Sequence, residues 1–419
     1  SDKPQRDVDE PRRVAPSDGE TVEGDEPEAP PEPWTPERVT EWNAYYDLYV
    51  LGAALLLTFV ASAVRTNHAP LWSSLRMGRE IISHGTPALT DAFSYTEEGR
   101  RWVNVPWLFQ TVSAGLYDMV YGMVPESQDD PTAHRASAEQ VAVGALIALT
   151  ALIRMATAFV LIKIRHKGPG LWWSAVCTAL ALGAVVAPGG LMLGGIAQPA
   201  IVDSSTWSAL FLVLEVFLLF RVFQHSSQFA LYALAPLFLV WANVDPTFLL
   251  GLLILGCATL GRFLDVRKGK TPVPVRVDLD ESSESRPPIT VGRTATVLLA
   301  CALVPLLNPS HVGIYPAALE PITSFFSGSK VQLNLNQLSY FGPTIRSPLL
   351  YGGIWQRLLI FYFVCVAAGL ATFFLNAKRF AWARFLPFAA AAVAWAFYLR
   401  YATEFAIVLA AVATLNGQE

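Results

Sequence analysis

Residues 141–162 form the run VAVGALIALTALIRMATAFVLI, in which Arg154 is the one charged side chain. A helix of about 20 apolar residues is long enough to cross the hydrocarbon core of a bilayer. Similar runs recur along the chain, whose 419 residues are 53% hydrophobic and 15% charged, with a mean hydropathy of +0.39. A large soluble all-α protein would instead show a polar stripe on most helices. We therefore predict an all-α, polytopic integral membrane protein.

About ten transmembrane helices can be placed on these runs. Lysine and arginine follow the second, fourth, sixth and eighth spans, so alternating spans put these residues on one side of the membrane. Because cytoplasmic loops are enriched in lysine and arginine, that side and the N-terminus are predicted to be cytoplasmic. The large loops 65–140 and 308–352 are then external. The proposed spans are 45–64, 141–162, 171–188, 205–222, 229–243, 247–262, 293–307, 353–375, 382–398 and 402–415.

The N-terminal residues differ from the rest of the chain. Residues 1–40 contain 12 acidic and 5 basic side chains, many prolines and no apolar periodicity. Such a segment cannot bury enough apolar surface to fold. We predict a disordered, acidic, Pro-rich cytoplasmic tail over residues 1–40 and a transmembrane domain over residues 41–419.

The first external loop is polar and rich in aromatic residues. Its spacing of apolar residues predicts short amphipathic helices at residues 71–84 and 107–121, the first closed by a glycine and the second preceded by a proline. Trp72, Trp102 and Trp107 would then lie at the depth of the lipid headgroups. An aromatic belt without further function would explain the same pattern.

Several motifs resemble those of bacterial polytopic GT-C-type membrane glycosyltransferases and their relatives. Residues 71–85 follow L-W-x-x-L-R-x-G-x-x-I-x-x-x-G, and residues 90–108 follow T-D-A-F-S-Y-T-x-x-G-R-x-W-V-x-x-x-W-L. Residues 241–251 resemble the W-A-N-x-H-G-G-F-x-x-G motif, residues 198–199 an Arg-Pro turn, and residues 307–313 an N-P-x-G segment. The scaffold positions of these motifs are Trp72, Gly78, Trp107, Trp241, Asn243, Asn308 and Pro309.

The resemblance implies a bacterial cytoplasmic (inner) membrane and a first external loop packed over a cavity open to the outer leaflet. Enzymes of this group transfer a sugar from a polyprenyl-phosphate donor. They need a carboxylate near the end of the first span as general base. They also need cations or a metal to hold the donor phosphate. An active protein would therefore use a polyprenyl-phosphate lipid or a divalent metal, whereas a silent relative requires no cofactor.

The chain departs from the pattern at the charged positions. His68 begins a segment where the pattern has Asp-Pro-Asp, Ser74 and Gln198 replace a histidine and an arginine, and Asp245 begins the replacement of His-Gly-Gly. His68 could act as a base, and Asp91 or Asp245 could replace the lost carboxylates, so these three are the catalytic candidates. An N-cap or Asx-turn role is an equal alternative for Asp91.

Two further sets of charged residues are candidates. Arg76, Arg100 and Arg101, with Gln198, are predicted to bind a lipid phosphate, although arginines at an interface also extend to the headgroups without a specific ligand. Arg154 and Glu215 lie inside predicted spans, where a lone charge is costly. Their similar depths predict an intramembrane ion pair, and we favour a structural role over a proton path.

Several classes of site lack a signature in the sequence. No phosphate-binding loop, nucleophile elbow or zinc-protease motif occurs, and the six histidines lack ligand spacing. The four cysteines lie in apolar runs and are interpreted as core residues, not as disulfides or ligands. No basic stripe with interleaved aromatic residues supports nucleic-acid binding.

Two functions are consistent with these features. The first is a GT-C-like protein that has lost or altered catalysis and serves as a structural or accessory subunit of a membrane assembly, with membrane lipids and other membrane-protein subunits as partners. The second is an active polyprenyl-phosphate-sugar-dependent glycosyltransferase with its site on the external face. The lost charges favour the first. A transporter is a weaker third hypothesis, because no internal repeat is evident.

Overall fold

A computed structural model shows an all-helical protein, with no β-strand among the residues it describes. The chain divides into the units Ser1–Ala44 and Tyr45–Glu419. In the first unit the description begins at residue 36, where a helix starts, so residues 36–40 are helical, and residues 1–35 of the predicted tail lie outside the described residues. A proline suits the first position of a helix, because no N–H is needed there. The described residues are 36–63, 69–90, 99, 102–125, 131–166, 171–186, 202–269, 289–319, 355–397 and 401–419.

The helices follow the apolar runs of the sequence closely. Two short 3₁₀ turns, Val304–Leu307 and His311–Gly313, come after α10. The helices are α1 Pro36–Ser62, α2 Ala69–His84, α3 Trp107–Met123, α4 Pro131–Ile162, α5 Leu171–Val186, α6 Ser204–His225, α7 Gln228–Tyr232, α8 Leu234–Trp241, α9 Phe248–Arg267, α10 Val291–Leu303, α11 Trp355–Leu375, α12 Trp382–Phe397 and α13 Ala402–Gly417.

Some of these helices are long and apolar enough to cross a membrane. Within the described parts of the chain there are 4, in α1, α4, α6 and α9, and 5 if the bent pair Val291–Leu307 and His311–Leu319 forms one span. The angle within that pair is 109°. Shorter apolar helices occupy the predicted spans in α5, α7–α8 and α11–α13. The all-helical class is confirmed, whereas the number of ten transmembrane helices is not.

The two predicted helices of the first large loop are present as α2 and α3, which pack against each other. Gly78 lies at their closest approach: a β-carbon on it would be 2.1 Å from the backbone oxygen of Gln110. On the exposed side of the contact, Arg79 Nη2 lies 2.6 Å from Asp118 Oδ1. The glycine of the sequence motif therefore has a packing role between these helices.

A large apolar core runs through the described part of the larger unit, and Ile162, Leu171 and Ala175 form a second, smaller cluster. The largest fully buried side chains of the large core include Trp241, Phe238 and Phe248 near α8 and α9, and Trp395 and Phe405 in α12 and α13. Helix α9 packs along α12, α6 packs against α4, and α13 packs against α5. This core fixes the start of α6 and α9 beside each other, where the candidate site lies.

Candidate functional site

Asn243, after the end of α8, is the centre of a buried group of hydrogen bonds. Its Oδ1 accepts from Trp107 Nε1 at 2.8 Å and from Asn308 Nδ2 at 2.9 Å. Its Nδ2 donates to the backbone oxygen of Leu239 at 2.6 Å, and its own backbone oxygen accepts from Leu108 N at 3.1 Å. Asn243 therefore joins the start of α3, the end of α8 and the turn after α10.

Asp245 is the centre of a second group directly beside the first. Its Oδ2 accepts from Ser204 Oγ at 2.5 Å, and its Oδ1 accepts from the backbone N and the Oγ1 of Thr247 at 2.9 and 2.7 Å. Thr247 Oγ1 is hydrogen-bonded to Ser208 Oγ, which accepts from Trp241 Nε1 at 2.7 Å. The side chains of both groups form the polar network: Trp107, Ser204, Ser208, Trp241, Asn243, Asp245, Thr247 and Asn308.

The turn between α8 and α9 explains why Asp245 takes this position. An aspartate that accepts from the N–H two residues ahead forms an Asx turn, here with Thr247. Pro246 between them needs no hydrogen-bond acceptor for its nitrogen. A carboxylate directly before a helix also interacts favourably with the helix dipole, here that of α9. The sequence D-P-T is thus sufficient for the local geometry.

Most of the network is closed to solvent, and Trp107 is partly buried. Asp245 and Asn308 are 0% exposed, and Asn243 is 7% exposed. A general base must come within hydrogen-bond reach of a substrate proton. Asp245 already accepts three hydrogen bonds from Ser204 and Thr247, so in this arrangement it stabilises the turn. Its predicted catalytic role remains a prediction.

Glu215 lies on α6 two turns after Ser208 and faces α9. It is 0% exposed, and neither carboxylate oxygen has a hydrogen-bond partner among the described residues. A β-carbon on Gly251 would lie 2.9 Å from Glu215 Oε2 and 2.5 Å from the ring of Trp241. The missing side chain at Gly251 therefore leaves the space that the carboxyl group and the indole occupy.

The predicted ion pair between Arg154 and Glu215 is not formed among the residues described. Although α4 and α6 pack together, the carboxylate of Glu215 lies beside Gly251 of α9. The acid whose charge acts on Arg154 is Asp203, at the start of α6. Position along a span predicts the depth of a residue, but the rotation of each helix about its axis decides which side chains meet.

The other predicted site residues are spread over the chain. Arg76 is exposed on α2, and Trp72 is 40% exposed with its ring edge-on to Tyr117 at 6.1 Å. Pro309 is half-buried beside Asn308 of the polar network. The roles of Arg76 and of the residues outside the description stay predictions. The latter are His68, Asp91, Arg100, Arg101 and Gln198.

A cavity of about 810 Å³ lies at the other end of α6 and α9. Most of its wall is apolar and comes from α6, α9, α12 and α13. We call it the basic cavity, because lysine and arginine outnumber acids among its lining residues. Its ionisable lining residues are His166, His225, Arg262, Asp265, Lys378, Arg379, Arg384 and Glu419.

Both acids of the basic cavity have partners. Glu419 is hydrogen-bonded to Arg384, lies 3.1 Å from His166 Nε2, and accepts from Asn376 Nδ2 at 2.8 Å. Burial raises the pKa of Glu419, but the hydrogen bonds from His166 and Arg384 outweigh it and hold this pKa well below its usual range. Asp265 accepts from the backbone N–H groups of residues 382 and 383 at 2.9 and 3.0 Å, and so caps α12.

Sequence reasoning missed this second cluster. The basic residues after the spans were used only to orient the chain, and the two acids were not singled out. Asp265 carried a usable signal, because it is a lone acid among basic residues at the end of an apolar helix. Glu419 carried none, since its partners Arg384 and His166 are distant in sequence and meet only when α12, α13 and the end of α4 pack.

The chemistry of the described residues points to neither a metal nor a thiol site. Within the described ranges, no group of three or more His, Cys, Asp or Glu side chains could hold a metal ion. The four cysteines form no disulfide with one another, and Cys177 and Cys301 are buried. No protein-family model matches the chain, and no curated protein matches it significantly.

Proposed function

We propose that this chain is a GT-C-like integral membrane protein that serves as a structural or accessory subunit of a membrane assembly, without glycosyl transfer of its own. Its location would be a bacterial cytoplasmic membrane, with the N-terminus and the basic cavity on the cytoplasmic side. Lysine and arginine at the cavity, from the end of α9 and from residues 378–384, are consistent with this orientation.

One observation carries the proposal. The motif residues of the resemblance, among them Trp107, Asn243 and Asn308, meet in a buried network whose polar atoms bond to each other. Asp245, which stands where the pattern has a histidine, is 0% exposed. A site for a lipid-linked sugar would need polar groups directed at an open cavity. The motif residues that the chain shares with the pattern therefore support packing of α3, α8 and α9, as expected of a scaffold.

The alternative of an active transferase has support from α2 and α3. The resemblance implies a first external loop fixed against the bundle, and Trp107 at the start of α3 is bonded to Asn243. His68 directly precedes α2, and Asp91 follows it by a short segment. These two residues would supply the base, and a polyprenyl-phosphate lipid or divalent metal would be required.

Affinity purification of the tagged chain from its native membrane tests the proposal. We expect partner chains at a fixed stoichiometry and no sugar transfer from polyprenyl-phosphate donors, whether or not divalent metal is added. Turnover that is lost in His68→Ala and Asp91→Asn, but kept in the exposed control Glu139→Gln, would overturn it. Asp245→Asn should be compared for folding before its activity is interpreted, because this residue holds the turn before α9.

A further inference from the structure

We propose that the basic cavity binds one anionic phospholipid, with the phosphate group at Arg262 and Lys378 and the acyl chain on the apolar wall. This inference goes beyond the proposed function, since it applies to a scaffold and to an enzyme alike. It depends only on the cavity and on the apolar helices around it.

The charge of the cavity is the first argument. Of its two acids, Glu419 is engaged by Arg384 and His166, and Asp265 is engaged by the N-terminus of α12. Arg262 and Lys378 form no hydrogen bond or ion pair with another residue in the described part of the chain, although Asp265 acts on Arg262 through its charge. The cavity lining thus carries four lysine and arginine side chains against two acids, and this excess of positive charge favours an anionic ligand.

The apolar wall is the second argument. Side chains of α6 such as Phe220 and Phe223, with Ile254 of α9 and Val408 and Leu415 of α13, form a continuous hydrophobic surface beside the cations. A free inorganic anion would leave this surface in water, whereas an acyl chain would cover it. The volume of about 810 Å³ lies within the usual range of ligand sites and accommodates a headgroup with part of a chain.

The position of the cavity is the third argument. It lies at the ends of α4, α6 and α9, and each of these helices is long and apolar enough to cross a membrane. A site at the end of such helices faces the headgroup layer, where phospholipids are abundant. Basic pockets between membrane helices on the cytoplasmic side are suited to anionic lipid headgroups.

Native mass spectrometry of the full chain in detergent, titrated with phosphatidylglycerol or phosphatidylcholine of the same acyl chains, tests this proposal. We expect tighter binding of one phosphatidylglycerol. The double variant Arg262→Gln, Lys378→Gln should lose roughly fivefold in affinity for each charge removed. The control Arg267→Gln, Lys268→Gln removes two charges at the same end of α9 from residues that do not line the cavity. This control variant should lose much less affinity for phosphatidylglycerol.

The second variant, Ala381→Trp, fills the cavity from a partly exposed position and changes no charge. It should abolish the one-lipid adduct while the protein elutes as a monodisperse species. Equal affinity for both lipids, or equal losses in both charge variants, would overturn the proposal. Displacement of phosphatidylglycerol by millimolar inorganic phosphate alone would also overturn it, since the cavity would then be a site for a free anion.

Discussion

The polar network and the basic cavity lie at opposite ends of α6 and α9, and they use polar side chains in opposite ways. In the network, Asp245 and Asn308 are 0% exposed and bond to neighbouring protein groups. In the cavity, Arg262 and Lys378 face an open space of about 810 Å³. Satisfied buried groups fix one packing arrangement, whereas unpaired charges at a cavity keep a capacity to bind. The comparison assigns a structural role to the polar network and a binding role to the basic cavity.

Of the substitutions that test this comparison, Asp245→Ala should cause the largest loss of stability. It removes the acceptor for Ser204 and Thr247 and leaves their buried donors unsatisfied, which costs about 3 kcal/mol. The control is Thr290→Ala, which removes an N-cap interaction with Arg293 N at the start of α10 and should cost about 1 kcal/mol. Unfolding by denaturant in detergent measures both. Equal losses would mean that the network contributes no more than a helix cap.

Gly251→Ala tests how tightly α9 packs against Trp241 of the polar network. The new β-carbon would lie 2.5 Å from the buried ring of Trp241, which cannot move without breaking its bond to Ser208, so we expect a loss of about 2 kcal/mol. Gly256→Ala on the same helix has no atom within 4 Å of its β-carbon. It should be neutral or stabilising by up to about 1 kcal/mol. A neutral Gly251→Ala would show that the core there has room.

Asp265→Ala tests whether a residue of the basic cavity also stabilises the fold. It removes the acceptor for two N–H groups at the start of α12, and we expect a loss of about 1 kcal/mol. Asp118→Ala, which removes a largely exposed partner of Arg79, should cost at most about 0.5 kcal/mol. Thermal unfolding of the two variants against the wild type gives the ranking. If Asp118→Ala were the more destabilising of the two, the exposed ion pair on α3 would contribute more to stability than the cap of α12.

More of the polar network than of the basic cavity could be predicted from the sequence. Trp107, Trp241, Asn243 and Asn308 were singled out as scaffold residues, and the structure brings them together. Motif residues of this kind are recognisable because glycine, tryptophan and asparagine serve specific packing and turn geometries. Helix positions were predictable for the same reason, since apolar runs directly reflect burial or lipid contact.

The features that the sequence did not predict depend on how helices that are distant in sequence rotate about their axes and contact each other. The pairing expected for Glu215 failed because its helix turns it to Gly251. The cavity was missed because His166, Arg384 and Glu419 come from three segments that the sequence does not link. Charge patterns were the basis for predicting an orientation, but they do not identify the acids that pair with some of the basic residues.

Glu419→Gln is expected to have the smallest effect at neutral pH, less than about 1 kcal/mol, because glutamine keeps a side-chain oxygen that can accept from Arg384 and Asn376. Its diagnostic value lies in the pH dependence. The pKa of Glu419 is lowered in the folded protein, so the native state holds fewer protons than the unfolded state between that pKa and the ordinary value of 4.5. The stabilisation is therefore complete above about pH 5 and decreases as the pH falls below it.

The difference in stability between the wild type and Glu419→Gln should thus shrink as the pH falls below about 5. Denaturant unfolding at several pH values measures it, with Glu139→Gln, an exposed acid on α4, as the control for removal of one negative charge. A difference that grows in acid would contradict the lowered pKa. The cavity would then hold Glu419 as an uncompensated acid, and the excess of positive charge that we assign to Arg262 and Lys378 would be smaller.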